Sequence, residues 1–276
     1  MIATTGHKYR DYNISTTQVI PIEPANKLSL LDPRCIAIDN LAKELYIGET
    51  HEGFGSVMTI LIHEQIATCV HVISSGLVRP SGIAFTDLNI FVSDSFTNSI
   101  ICYSKAGELI YEVGSASDVE FCWPTSIQYY LEVVYVCDWG NGRIVAFDTA
   151  LTNLFEFKEM SICPIDLAIH SNCVFVVTQK PLLMGVFTLE GNFITIISLN
   201  LPKFTRIKQF TIDPAGNFIF TSPIHRFLYF LNLERGEIVE INLFDIFSFT
   251  PSAIAVYKKD KIISLSNSGV QLFNIF

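Results

Sequence analysis

The stretch Pro124–Asp148, PTSIQYYLEVVYVCDWGNGRIVAFD, returns in worn copies along the chain, and this repetition constrains the fold more than any other feature. Inside it a short apolar run follows a proline (Thr125–Tyr130), and a β-branched and aromatic run comes next (Val133–Cys137). The polar turn Asp138-Trp139-Gly140-Asn141-Gly142 then leads into Arg143–Phe147. Such runs, parted by turns rich in Gly and Asn, read as antiparallel strands. A copy starting at Pro80 adds a fourth run, Leu109–Val113, so the unit has four strands. Further starts fall at Pro33, Pro164 and Pro251, with a degenerate one at Ile207, where Phe210-Thr211-Ile212-Asp213 matches Ile36-Ala37-Ile38-Asp39. Successive starts lie 47, 44, 40, 43 and 44 residues apart. Four strands at a period of roughly 40–50 residues is the pattern of a β-propeller, in which each blade buries its faces only against its neighbours.

The expected architecture is therefore all-β: six four-stranded antiparallel blades in one domain over residues 17–276, after a tail at 1–16. The last unit, from Pro251, has room for three strands. Thr17–Ile22 is expected to pair with Val270–Phe276, complete that blade and close the ring, hiding two strand edges.

Asp138-Trp139-Gly140-Asn141-Gly142-Arg143-Ile144, after Val134-Tyr135-Val136, resembles the NHL repeat. Asp94-Ser95-Phe96-Thr97-Asn98-Ser99-Ile100 resembles it too, with Ser99 in the arginine position. In the other units Glu49, Thr178, Ser222 and Asn267 replace the aspartate. The resemblance covers nearly the whole chain in spacing and two units in motif. It implies a six-bladed NHL-type propeller, and with it a non-catalytic protein-interaction module, substrate-recognising or scaffolding. No RING or B-box accompanies it here. Two alternatives come with the resemblance: an RNA-binding NHL domain, and a metal-dependent hydrolase or lyase of the six-bladed lactonase or strictosidine-synthase-like class.

Composition narrows these. Net charge is −9, with 18 basic and 27 acidic residues, and the basic residues are scattered. Nucleic-acid affinity draws on Lys and Arg neutralising phosphates, so RNA is not the expected partner. No stretch approaches the roughly 18 consecutive apolar residues of a membrane helix, and Met1–Asp11 lacks the basic-then-apolar pattern of a signal peptide. Seven cysteines without paired spacing point to reduced thiols and a cytoplasmic setting, Cys35, Cys102 and Cys137 serving as apolar filler inside strands. The chain is expected to be a monomer. No C-x-x-C or HExxH occurs, and neither a metal nor a cofactor is expected.

In a propeller the loops entering the first strands share a face with the turns joining second to third strands. Here that face presents Arg34, Arg79, Trp123, Asp166, Arg206 and Phe249 from the first set. The second set adds His51, Phe96, Trp139, Lys180 and His225. Aromatic rings beside arginines are the composition of protein-binding hot spots, so the expected binding residues are Arg34, Arg79, Phe96, Trp123, Trp139 and His225. No residue is assigned to catalysis. Asp94 and Asp138 have two readings: acceptors for turn N–H groups, with Arg143 as the partner of Asp138, or an acid–base pair in a shared cleft. Among the first-strand starts only Asp166 could ligate a hard cation.

Overall fold

The structure is a computed structural model, and it describes residues 14–20, 22–23, 30, 32–62, 67–114, 119–158, 163–199, 201, 205–222, 227–232, 237–242, 252–257, 261–266 and 269–275. Two strands precede the first unit, β1 (Ile14–Ile20) and β2 (Ile22–Glu23). Unit one contains β3 (Pro33–Asp39), β4 (Glu44–His51), β5 (Phe54–Ile62) and β6 (Ala67–Ile73). Unit two contains β7 (Pro80–Phe85), β8 (Asn89–Asp94), β9 (Ser99–Ser104) and β10 (Leu109–Val113). Unit three has β11 (Pro124–Tyr130), β12 (Val133–Asp138), β13 (Arg143–Phe147) and β14 (Asn153–Phe157). Unit four has β15 (Pro164–His170), β16 (Cys173–Gln179), β17 (Leu182–Thr188) and β18 (Phe193–Ser198). In unit five are β19 (Gln209–Ile212), β20 (Phe218–Ser222), β21 (Phe227–Asn232) and β22 (Glu237–Asn242). Unit six has β23 (Ala253–Tyr257), β24 (Lys261–Ser266) and β25 (Gly269–Ile275).

Each unit is an antiparallel sheet in chain order, and β1 pairs antiparallel with β25 as the fourth strand of the last sheet. Five sheets thus have four strands. The sheet of unit one has five, because Ile22 and Glu23 of β2 pair in parallel with Ala67 and Thr68 of β6. Two expectations are corrected here. The pairing strand begins at Ile14, inside the expected tail, and Ile22 belongs to the first sheet and not the last.

The middle strands are almost wholly apolar because both of their faces are covered. Side chains alternate across a strand, so neighbours in sequence pack in opposite directions. In β12, Val134 and Val136 join Phe91 and Cys102 of unit two, whereas Tyr135 and Cys137 join Val174 and Val176 of unit four. Likewise in β4, Tyr46 meets Ile83 and Val92 of unit two, while Leu45 and Ile47 meet Ile263 and Leu265 of unit six. Units four and five share a further cluster around Phe175, Phe218 and Phe220. Fully burying such a side chain contributes about 1.5–3 kcal/mol, so the stability resides between sheets and not within any one of them.

The first strands stand side by side at the centre, β3 by β7, β7 by β11, and onward through β15, β19 and β23, with β23 against β3. Polar links reinforce this inner layer. Ile254 N–H donates to Gln209 Oε1 (3.0 Å), and Thr125 Oγ1 donates to Pro164 O (3.3 Å). Gly82 permits the closest approach: a Cβ there would fall 2.9 Å from Ile127 N. None of the seven cysteines is paired, and Cys35, Cys102 and Cys137 are buried in strands as expected. Among the described residues no helix is long and apolar enough to cross a membrane.

Candidate functional site

The leading proline of a unit sets the geometry of the central opening. Pro33, Pro80, Pro124 and Pro164 pair with Glu49, Asp94, Asp138 and Thr178, the last or nearly last residues of their second strands. Directly after each proline the register shifts, between Pro33 and Cys35, Pro80 and Gly82, Pro124 and Ile127, and Pro164 and Asp166. Such bulges re-aim side chains. Here two successive residues of each strand line the opening: Arg34 and Cys35, Ser81 and Gly82, Thr125 and Ser126, Ile165 and Asp166. Lys208 and Gln209 occupy the matching place in unit five. The cavity they enclose measures about 440 Å³. A second cavity of about 1110 Å³ opens at the other end, with Asp39, Asp87, Glu132 and Asp213 in its walls, and the two meet at Ile36, Ile83, Gln128 and Gln209. The central passage therefore has one cationic and one acidic end.

Trp123 and Trp139 form the rim of the cationic end. Their rings stack with centroids 5.4 Å apart and planes 22° from parallel. Trp123 is 54% exposed, and its φ of 53° lies in the left-handed region, unfavourable for a bulky side chain. Three hydrogen bonds hold it there. Its N–H donates to Asn98 Oδ1 of unit two (2.7 Å), Cys122 N–H donates to Asp138 Oδ1 (2.8 Å), and Gly140 N–H donates to Cys122 O (2.7 Å). A Cβ on Gly140 would fall 2.3 Å from Cys122 Sγ, so only glycine lets the two tryptophan-bearing loops come this close.

Of the expected binding residues, Arg34, Arg79, Trp123 and Trp139 meet around the cavity. Phe96 does not: it is 67% exposed and stands one residue beyond Ser95, which takes the place in unit two that Trp139 takes in unit three. Arg206, His51 and Lys180 are exposed outside the cavity wall. His225 and Phe249 lie outside the described residues. Arg34 is ion-paired to Asp32 (3.0 Å), and its Nε is buried with no acceptor.

The two motif aspartates do not share a cleft. Asp94 accepts N–H bonds from Val78 and Arg79 (both 2.7 Å), Phe96 (2.9 Å) and Thr97 (3.1 Å). Besides Cys122, Asp138 accepts from Asn141 Nδ2 (2.9 Å) and Arg143 Nε (2.7 Å). Both are fully buried, and their oxygens are spent on turns and entering loops. Asp166 is spent too: Leu167 N–H (2.9 Å) and Phe210 N–H (2.7 Å) donate to it, the latter tying unit four to unit five. Burial pushes its carboxyl up to about 7, against the Ser126 hydroxyl and these two N–H groups, which favour the anion.

Lys208 escaped the sequence reading because unit five begins without a proline. It is open to the solvent of the cavity, yet protein surrounds that space. Desolvation first, then the charges of Arg34 and Arg79, push its ammonium down to about 8, against the pull of Asp32 and Cys35. Burial pushes the neighbouring Cys35 thiol up to about 12, which leaves it protonated and unreactive. Among the described residues no group of three His, Cys, Asp or Glu side chains could hold a metal ion.

No family model matches the chain, and no curated protein matches it. Solved structures do. A streptogramin B lyase aligns over 98% of this chain and 100% of its own with a TM-score of 0.69 and 11% identity. A catalytically inactive variant of virginiamycin B lyase from Staphylococcus aureus, with quinupristin, aligns over 96% and 100% with a TM-score of 0.64 and 13% identity. A chain of a nidogen/laminin complex aligns over 76% and 80% with a TM-score of 0.62 and 16% identity. At such identities the likeness shows the fold alone, a β-propeller of four-stranded antiparallel blades.

Proposed function

We propose that this chain is a non-catalytic binding propeller of NHL type, its six sheets closed into a ring by the pairing of β1 with β25. It holds a protein partner on the face that carries the tryptophan pair. The observation behind this reading is Trp123: a half-exposed aromatic ring kept in a left-handed backbone conformation by two neighbouring units. Strain of this kind costs on the order of 1–3 kcal/mol and persists where the surroundings over-determine it, and among the described non-glycine residues in that region Trp123 is the one that lines the cationic cavity. Stacked over a recess, the two indoles offer a rigid apolar anchor at little cost in side-chain entropy.

The competing reading is an enzyme, since two of the similar structures are lyases. One of them is an inactive variant in which a histidine is replaced by alanine. Among the described residues the wall of the cationic cavity contains no histidine, its one carboxylate is spent on backbone N–H groups, and its cysteine is protonated. Lys208 apart, this residue set supplies no base, and it offers no metal site, which favours binding over catalysis.

The test is selection of displayed peptides on the wild-type chain with counter-selection on Trp123→Ala/Trp139→Ala. Peptides that bind only the wild type, with the variant losing no more than the roughly 0.5–1.5 kcal/mol of the stacked pair, support the reading. A failure to enrich any peptide overturns it. So does a stability loss of about 3–5 kcal/mol in the variant, the cost of truncating a core tryptophan.

A further inference from the structure

The cationic recess beside the tryptophans bears on what kind of partner segment binds, if that face is indeed the binding face. Arg34, Arg79 and Lys208 converge on it from units one, two and five. Their charges are barely compensated. Asp32 pairs with Arg34 at the rim, where its side chain is 56% exposed. Asp166, the one carboxylate in the wall, is turned to the N–H groups of Leu167 and Phe210. Among the described residues no acceptor stands within hydrogen-bond distance of Lys208 Nζ or of the Arg79 guanidinium, and Arg34 Nε is buried without one. Three like charges share one recess until an anion enters; burial first, and then the charges of Arg34 and Arg79, hold the Lys208 ammonium low.

We infer that the recess takes a carboxylate side chain of an acidic peptide segment, set among Arg34, Arg79 and Lys208, with an adjacent apolar side chain of the same segment on Trp123. Arginine pairs to carboxylates are directional and roughly twice as strong as neutral hydrogen bonds, so they fix the register of the segment while the indoles supply burial. A polyanion fits less well. Phosphate backbones gain affinity with each charge neutralised, whereas this site offers three cations within a chain of net charge −9, and the far end of the passage is acidic. The acidic end also gives a bound carboxylate one preferred side of the ring.

The probes are a short acetylated and amidated peptide alternating glutamate and phenylalanine, its glutamine counterpart, inorganic phosphate and an oligouridylate, each followed by tryptophan fluorescence of the full chain. The glutamate peptide is expected to bind at least about tenfold tighter than the glutamine peptide, with affinity falling as salt rises. Arg79→Gln/Lys208→Gln should remove that preference without lowering the melting temperature, both side chains being solvent-accessible. If the double variant unfolds, Arg79→Gln alone carries the test. Raising the pH through about 8 should weaken the glutamate peptide, because Lys208 gives up its proton among Arg34, Arg79, Asp32, Cys35 and Asp166. In the Lys208→Gln protein that step should vanish and leave only the one near 7, where the Asp166 carboxyl ionises. Equal binding of the two peptides would overturn the acidic assignment and leave the tryptophan face standing. Binding of phosphate or oligouridylate in place of the glutamate peptide would assign the recess to phosphate and also overturn it. If no probe binds, both this inference and the proposed function fall.

Discussion

Units two and three carry the same aspartate at the end of the same strand, and they use it differently. In unit two the arginine position is Ser99, and Asp94 gives both oxygens to backbone N–H groups, among them those of Val78 and Arg79 in the entering loop. In unit three Arg143 and Asn141 fill one oxygen of Asp138, and only Cys122 of the entering loop is held by the other. Trp123, the counterpart of Arg79, is left without that acceptor. Its N–H turns across the unit boundary to Asn98, and the backbone goes left-handed. With the arginine in the turn, Glu120 and Cys122 of the entering loop stay tied to unit three, and the N–H of Trp123 alone crosses to unit two. This is the loop that lays an indole over the central recess.

The largest expected effect follows from the different partners. Asp138→Ala removes the carboxylate from Arg143, whose side chain is only 15% exposed, and should cost about 3–5 kcal/mol in chemical denaturation, as for a broken buried ion pair. Glu156 and Glu120 O remain to Arg143, which places the loss toward the lower part of that range. Asp94→Ala strands four N–H groups, but those of Phe96 and Thr97 sit in a turn that water can reach, so about 2–3 kcal/mol is expected. A loss at Asp94 as large as that at Asp138 would show that the ion pair is not what separates the two units.

Much of this fold is written in the sequence, because its signals are local. Prolines at 33, 80, 124 and 164 begin first strands, and the apolar runs after them have the composition of strands covered on both faces. The Asp138–Arg143 pair was legible from spacing alone, as the ends of a tight turn. What escaped depends on geometry between units. The register shift after each proline leaves no compositional trace, yet it brings both Ile165 and Asp166 to the cavity wall. Lys208 was invisible because its unit lacks the proline, and Phe96 was given the place of Ser95 because the two turns were matched by their aromatics and not by the register of Asp94 with Ser99. The parallel pairing of β2 with β6 rests on two residues and has no periodicity to announce it.

A middling effect is expected from Gly140→Ala. The added methyl would meet Cys122 Sγ, Cβ and O at 2.3–2.8 Å, and the last two cannot move without the loop. The loss should be about 1–3 kcal/mol, typical of overpacking, with a changed near-ultraviolet dichroism as the two indoles separate. The register-matched residue in unit two is Phe96, which carries a full exposed side chain because no loop closes on it. Phe96→Ala should therefore stay within about 0.5 kcal/mol of the wild type. An unaltered dichroism in Gly140→Ala would mean that the glycine contact does not set the stack.

The smallest effect isolates the strain. Trp123 sits at φ 53°, which costs an L-residue roughly 1–2 kcal/mol, whereas Arg79 does not share that conformation. Replacing Trp123 by alanine removes the stacked ring, worth about 0.5–1.5 kcal/mol, and keeps the strain. Replacing it by glycine removes the same ring and releases the strain, offset by about 0.5–1 kcal/mol for the greater freedom of glycine in the unfolded chain. Trp123→Gly should therefore be the more stable of the pair by up to about 1.5 kcal/mol, and both should lose the partner. At Arg79 the order should reverse, with Arg79→Gly below Arg79→Ala by about 0.5–1 kcal/mol, because no left-handed backbone is there to relieve. Denaturation curves for the four proteins decide the matter. Should alanine match or exceed glycine at 123, the backbone there is not strained, and the asymmetry between the two units reduces to the ion pair of Asp138.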